Sequence, residues 1–489
     1  MPSLREQRAG VSLLSAFLGC GRGPTPRPQT KNDTTSDVTI APPAPPPSSG
    51  GTGPALRREL GRWDLTAIGI NQVIGAAIFA QPALLAAQAG AWSPWMVAAV
   101  GVASMLVALS FAEVGSRFDG TGGPYLYTRA AFGRFAAFEV GWMLWFTRAA
   151  SWAAVINVLA TSLSYYWPPF STGPARAIVI TVITGAIAAI NVRGIRQSST
   201  VVNVLTAAKL IPLAIFIVAG LFAMDPSRLA VDQPLTLGAA ASTGLLLIFA
   251  FGGYEVVPVV AGETKDPRRA VPFALIGTIA VVTLIMTLTQ VVAIGTLPNL
   301  ATSSTPLASA AALFLGAGGA ALMTFGATMS ASGNNMGQAL SGTRNLYALA
   351  EHGDLPAFLG RVHRRYRTPV TAVIVTASVS LLLALSGRFA ALAAASAISR
   401  LIVYVFTCAA TIRLRQPQFA ATVNPAVFRV PFGPVIPSLA IVIALAILAG
   451  ATPQQLRSGL IALAAGAVLY VVALLSPSAR RIHAASETS

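Results

Sequence analysis

Six ionisable side chains lie inside long apolar runs of this 489-residue chain: Glu113, Glu139, Arg148, Lys209, Glu255 and Arg400. A charge in such a setting is costly and marks functional chemistry by default. Lys209 sits in Val204-Leu205-Thr206-Ala207-Ala208-Lys209-Leu210-Ile211-Pro212. A lysine taken out of water could load and unload a proton, stand as a fixed cation in place of a sodium ion, or serve as a plain structural partner. Glu255 directly follows Phe251-Gly252-Gly253-Tyr254 and is expected to gate a site or to move with a proton. Glu113 and Glu139 lie near the ends of their runs and read as helix-end groups paired with loop arginines. Arg148 and Arg400 read as structural groups that snorkel or pair with a carboxylate.

Two stretches could do chemistry with their backbone. The first is Gly69-Ile70-Asn71-Gln72-Val73-Ile74-Gly75-Ala76-Ala77-Ile78-Phe79, the second Leu247-Ile248-Phe249-Ala250-Phe251-Gly252-Gly253-Tyr254-Glu255. Each places small residues amid bulky apolar ones. A helix broken there frees N–H groups on one side and carbonyls on the other. The N–H end, with its positive dipole, suits a carboxylate, and free carbonyls suit an amine, so the pair would suit a zwitterion.

The elements that must hold these groups follow from composition. Hydrophobic residues make up 54% of the chain and charged ones 10%, where soluble proteins carry about 25% charged. With a mean hydropathy of +0.68, a water-soluble enzyme and a disordered chain are both excluded. Twelve apolar segments run roughly over 64–89, 94–115, 134–165, 175–192, 200–223, 239–262, 271–296, 317–345, 369–387, 390–412, 434–451 and 458–476. Each can cross a hydrocarbon core of about 30 Å as a helix. The alternating ten-residue segments of a membrane β-barrel are missing. The expected fold class is therefore an all-α polytopic membrane protein with 12 transmembrane helices. The two broken stretches fall in the first and sixth segments. That is the pattern of an inverted repeat of five plus five helices, with the first and sixth interrupted at mid-membrane.

The net charge of +17 is explained by where the basic residues sit. Most of the 33 fall in alternate loops beginning with Arg57, Arg58 and Arg62, whereas the opposite loops hold only Arg176, Arg228, Arg388 and Arg457. The positive-inside rule then puts both termini in the cytoplasm. Charge spread over many loops, with no recognition motif, leaves no nucleic-acid partner. Residues 1–55, with the run Pro42 to Gly51 rich in Pro, Ser and Gly, are expected as a disordered cytoplasmic tail. The alternative is a signal peptide with a weak lipobox ending at Gly19-Cys20. Residues 56–476 form one membrane domain, with repeats at about 64–223 and 239–412 and peripheral helices within 434–476. Residues 477–489 form a second cytoplasmic tail. Cys20 and Cys408 make no framework, and His352, His363 and His483 lie in polar stretches, so no metal site and no cofactor are expected. No HExxH, GxSxG, phosphate loop or paired aspartates point to an enzyme or an ATP-driven pump.

Several motifs, in order, carry a resemblance that covers residues 56–476: Ile74 to Phe79; Gly122-Gly123-Pro124-Tyr125-Leu126-Tyr127 with Ala131-Phe132-Gly133; Phe249 to Glu255 followed by Glu263-Thr264-Lys265-Asp266-Pro267-Arg268-Arg269-Ala270-Val271-Pro272; Arg344 to Ala350 with Gly353-Asp354-Leu355-Pro356; and Phe428 to Pro434. The chain resembles an amino acid permease of the amino acid–polyamine–organocation superfamily. The resemblance implies a LeuT-like fold and a secondary active transporter in the cytoplasmic membrane, working by alternating access. It implies substrate binding by Ile74, Gly75, Ala76, Ala77 and Ile78, with the carboxylate at Gly75, Ala76 and Ala77. Phe249, Ala250, Phe251, Gly252 and Gly253 would bind on the other side, the amine at the carbonyls of Phe249, Ala250 and Gly252, with Phe249 or Phe251 closing over the substrate. Lys209 matches a lysine that in some relatives takes the place of Na⁺, which implies Na⁺-independent transport coupled to protons or exchange, and Glu255 would gate. The expected partners are a small amino acid, protons and the lipid bilayer; oligomeric state is not readable. Where the family has a second glycine this chain has Ala77, whose methyl narrows the approach but keeps the N–H donor. Neutral amino acids are favoured over cationic ones, with a cationic amino acid or polyamine carrier, or a non-transporting sensor on the same fold, as alternatives.

Overall fold

In the computed structural model, residues 56–75, 77–164, 167–231, 233–386 and 389–475 are described. The expected tails at 1–55 and 477–489, and Ala76, lie outside them. In chain order the α-helices are α1 (Arg62–Val73), α2 (Ala77–Ala89), α3 (Ser93–Gly115), α4 (Pro124–Phe132), α5 (Arg134–Ser164), α6 (Gly173–Arg193) and α7 (Ile195–Ala223). They continue as α8 (Leu237–Phe251), α9 (Pro267–Thr296), α10 (Pro306–Glu351), α11 (Val370–Leu385), α12 (Phe389–Arg413), α13 (Val435–Ala449) and α14 (Pro453–Leu475). A ten-residue 3-10 helix, Tyr254–Glu263, follows α8. The described residues contain no strand, and their one isolated bridge joins Leu60 to Thr264.

Each apolar segment falls on one helix, or, at 64–89 and 239–262, on a pair of helical pieces. Among the described residues, seven helical runs are long and apolar enough to cross a membrane, and α8, α11 and α13 are shorter apolar helices. Large apolar side chains such as Phe222, Leu237, Val442 and Val472 stand exposed along the helices. Soluble proteins rarely present such continuous apolar surface. The chain is a multi-pass membrane protein.

Local sequence explains the element boundaries. The segment beginning at 317 starts where α10 departs from helical geometry, at Gly316 with φ of 65°. Helix α4 was outside the apolar segments, being short and carrying Arg129. It starts at Pro124, whose missing N–H costs nothing at a first helical turn. Gly123 before it has φ of 51°, and a Cβ there would lie 3.0 Å from the Pro258 backbone. Gly122 N–H donates to the Val259 carbonyl at 3.1 Å. The Gly-Gly-Pro motif thus docks α4 onto the segment leaving α8. The most extensive helix packing is α3 on α9 and α10 against α5 and α7, while α13 and α14 both lie on α12.

Buried carboxylates tie the helices together. Glu263 takes a bidentate pair from Arg344, at 2.8 and 3.1 Å, with both side chains fully buried. Asp354 accepts from Tyr125 at 2.6 Å and from Arg129 and Arg134 at 3.1 and 2.5 Å. Glu113 is paired with Arg415 at 2.6 and 2.5 Å, in keeping with a helix-end group held by loop arginines. Glu255 lies between Arg148 and Arg400, the latter at 2.8 Å, and also accepts from Tyr404 Oη at 3.1 Å. Both arginines therefore have the same partner.

Glu139 departs from expectation. It is 7% exposed, lies against Gly466 of α14 as Trp142 does, and neither carboxylate oxygen has a hydrogen-bond partner among the described residues. The basic residues near it in sequence are otherwise engaged, Arg134 with Asp354. The two carboxylates should respond oppositely to neutralisation. Removing one partner from a buried ion pair costs about 3–5 kcal/mol, so Glu255→Gln should lower the melting temperature in detergent by several degrees. Glu139→Gln removes a charge that has no partner and should melt at or above the parent. Equal losses in the two variants, read by intrinsic fluorescence, would contradict this division.

Candidate functional site

The first break begins where α1 ends at Val73. Ile74 leaves helical geometry with ψ of 79°, Gly75 N–H turns back to the Val73 carbonyl at 2.8 Å, and α2 starts at Ala77. The last carbonyls of α1 lose their helical donors, and buried carbonyls need replacements. Side chains from α7 and α10 supply them. Lys209 Nζ donates to the carbonyls of Asn71 at 2.8 Å and Ile74 at 2.5 Å. Ser330 Oγ also donates to Ile74, at 3.1 Å, and Asn334 Nδ2 to the Gln72 carbonyl at 3.0 Å. In return Asn71 Nδ2 and Gln72 Nε2 donate to the carbonyls of Gly333 and Asn334, at 2.6 and 3.1 Å.

The second break follows Phe251. Gly253 has φ of +133°, a conformation that L side chains rarely adopt, and a Cβ on it would lie 2.7 Å from the Gln72 carbonyl. Glycine is required there because the two breaks meet backbone to backbone. Gly253 N–H donates to Glu255 Oε2 at 2.8 Å, so Glu255 fixes the turn as well as the arginines. A side chain at Gly252 would collide with the Arg400 guanidinium.

A cavity of about 260 Å³ opens between the breaks. That is below the roughly 300–1,000 Å³ of sites for drug-sized ligands, and fits a small solute. Gly75 and Ala77 line it from the first break, Ala250 and Gly252 from the second, and Ala80, Ala154, Val155 and Val158 form apolar walls. Gln72, Ser151, Asn334, Gln338 and Arg400 provide polar groups. The start of α2 carries N–H groups without helical acceptors, and the end of α8 carries carbonyls without helical donors. The cavity thus has one end suited to an anion and another to a cation.

The expected residues divide. Gly75, Ala77, Ala250 and Gly252 come together around the cavity. Ile74, Ile78, Phe251 and Gly253 are buried beside it and do not line it. Ala76 and the side chain of Phe249 lie outside the described residues. Lys209 and Glu255 stand behind the breaks, each fully or almost fully buried. Asn334, Gln338 and Ser151 were not singled out from sequence. For Asn334 and Gln338 the signal is there: Ser330 to Gln338 is a polar run, Ser-Ala-Ser-Gly-Asn-Asn-Met-Gly-Gln, in an apolar helix. Such side chains need partners in lipid as charges do.

Comparison with known proteins agrees with this architecture. The family model for amino acid permeases matches residues 60–474. An uncharacterized transporter of Mycobacterium tuberculosis is 30% identical over 364 residues, 73% of this chain and 81% of that protein. The branched-chain amino acid permease BcaP of Bacillus subtilis is 28% identical over 438 residues, 85% of this chain and 93% of the permease. The serine/threonine exchanger SteT of the same organism is 27% identical over 398 residues, covering 79% and 89%. With a match across nearly all of its helical part, the chain belongs to the amino acid permease family of transporters.

Proposed function

We propose that this protein is a secondary active transporter that moves neutral amino acids across the cytoplasmic membrane by alternating access, without Na⁺ and coupled to protons or to exchange. The observation that carries the reading is the cavity between the start of α2 and the end of α8. A substrate carboxylate would sit at the break of Gly75, Ala76 and Ala77 and take N–H groups at the start of α2, and its ammonium the carbonyls around Phe249, Ala250 and Gly252. The reading comprises twelve spans in a LeuT-like five-plus-five inverted repeat, 64–223 and 239–412, with 434–476 peripheral and both termini cytoplasmic.

Neutral substrates are favoured for an electrostatic reason. Glu255 is engaged by Arg148, Arg400, Tyr404 and the Gly253 N–H, and does not line the cavity. A cationic side chain would find Arg400 at the wall and no carboxylate. Ala154, Val155 and Val158 offer it apolar contact instead. The relatives named for branched-chain amino acids and for serine and threonine point the same way.

Lys209 supports the Na⁺-independent part. Its ammonium rests on two carbonyls of the first break, which is what a bound cation would do. Protonated Lys209 would hold the break shut, and its proton would be the coupling charge.

Two experiments test this. A thermal-shift screen of the purified protein against the twenty amino acids should find stabilisation by a few neutral ones; a ligand at 100 times its Kd adds ~2.7 kcal/mol. Gly75→Leu should abolish that shift, because a Cβ at Gly75 already lies 3.1 Å from Asn334 Nδ2. A retained shift in this variant would put the site elsewhere. In proteoliposomes, Lys209→Met should express normally and lose the pH dependence of uptake. An unchanged pH profile would remove Lys209 from coupling.

A further inference from the structure

A second pocket, of about 240 Å³, lies where α3 ends and the chain approaches α13, outside the transport cavity. Arg117, Arg415 and Arg429 line it, with Glu113 the acid among its lining residues. Glu113 is already spent: Arg415 holds both its oxygens, and Val430 N–H donates to Oε2 at 2.8 Å. Among the described residues, two of the three guanidinium charges remain without a closely bonded carboxylate. Arg117 is 8% exposed, its Nη2 is 3.8 Å from Glu113, and its Nε has no hydrogen-bond partner. Its Nη1 donates to the Asn424 carbonyl at 3.5 Å. Burial pushes Arg117 down from its ordinary value. Glu113 opposes this, and the like charges of Arg429 and Arg415 add to it. The carboxylate contact of Arg117 is long and shared with Arg415, so in this positive field the pocket can take a further anion.

The surroundings say which kind. The segment Phe428-Arg429-Val430-Pro431-Phe432-Gly433-Pro434 wraps one side of the pocket and leads straight into α13. Phe432 is 80% exposed and Val435 is exposed beside it. A basic pocket next to outward apolar side chains at the end of membrane helices meets a headgroup and its acyl chains together. We propose that the pocket formed by Arg117, Arg415 and Arg429 binds a phosphate-bearing anion, the headgroup phosphate of an anionic phospholipid. The Arg117 guanidinium and the exposed Arg429 donate to the phosphate, and Phe432 and Val435 lie along the chains. Arg415 positions Glu113, which keeps the Val430 turn in place.

The test uses the full chain in neutral detergent, with no amino acid present, so its outcome is separate from that of the transport reading. Dioctanoyl phosphatidylglycerol, dioctanoyl phosphatidylcholine and inorganic phosphate are titrated, with binding read by native mass spectrometry. Phosphatidylglycerol should bind in preference to phosphatidylcholine, and Arg429→Gln should weaken it about fivefold to tenfold. Arg429 is exposed, so this variant keeps its fold, and Arg117→Gln is the second probe. Arg228→Gln, in a distant loop, should change nothing. Inorganic phosphate that competes at equal affinity, and loses it in Arg429→Gln, would keep the anion site and make free phosphate its source. Equal binding of the two lipids, or phosphatidylglycerol binding unchanged in both arginine variants, would overturn the proposal.

Discussion

The Glu255 carboxylate holds three parts of the bundle at one point. Arg148 reaches it from α5, Arg400 and Tyr404 from α12, and its own chain offers Gly253 N–H. A buried charge pair is weak evidence for stability, because desolvation consumes most of the attraction. Its value here is in position. With Glu255 seated between two guanidiniums, the turn at Gly253 is held against Gln72, and Arg400 is set beside Gly252 at the cavity wall. The shape of the cavity therefore depends on a carboxylate that does not itself line it.

The first break is held by a different device. A helix interrupted in a water-poor interior must find donors for its terminal carbonyls. Lys209, Ser330 and Asn334 provide them, and Asn71 and Gln72 return the bonding to α10. One break is thus fixed by hydrogen bonds to backbone, the other by an ion pair and a glycine. Aromatic rings fill the space between them and α3: Phe111 lies edge-on to Tyr254 and Tyr404, with centroids 5.9 and 5.7 Å away.

Much of the helical layout was legible because lipid imposes a simple rule, that backbone polar groups be satisfied within each segment. Hydropathy located the helices, and small residues among bulky ones located the breaks at Gly75 and at Gly252-Gly253. The pairing of Glu255 with Arg148 and Arg400 was not legible. It depends on three distant segments packing at one depth, and charge alone does not say which carboxylate meets which arginine. Glu139 shows the converse: a position near a helix end suggested an arginine, and the local arginine turned to Asp354 instead. Asn334 and Gln338 line the cavity but carry no formal charge, and the sequence marks them only as part of a polar run.

The order of synthesis gives the Arg148–Glu255 pair a history. Arg148 leaves the ribosome 107 residues before the carboxylate that neutralises it, and Arg400 follows later still. A lone arginine at the centre of a helix costs about 2.5–3.5 kcal/mol on insertion scales. The apolar remainder of α5 must bear that cost while the partner is still being translated. Membrane insertion and final docking are thereby separated in time, and α5 has to be retained near the nascent chain until the sixth apolar segment emerges.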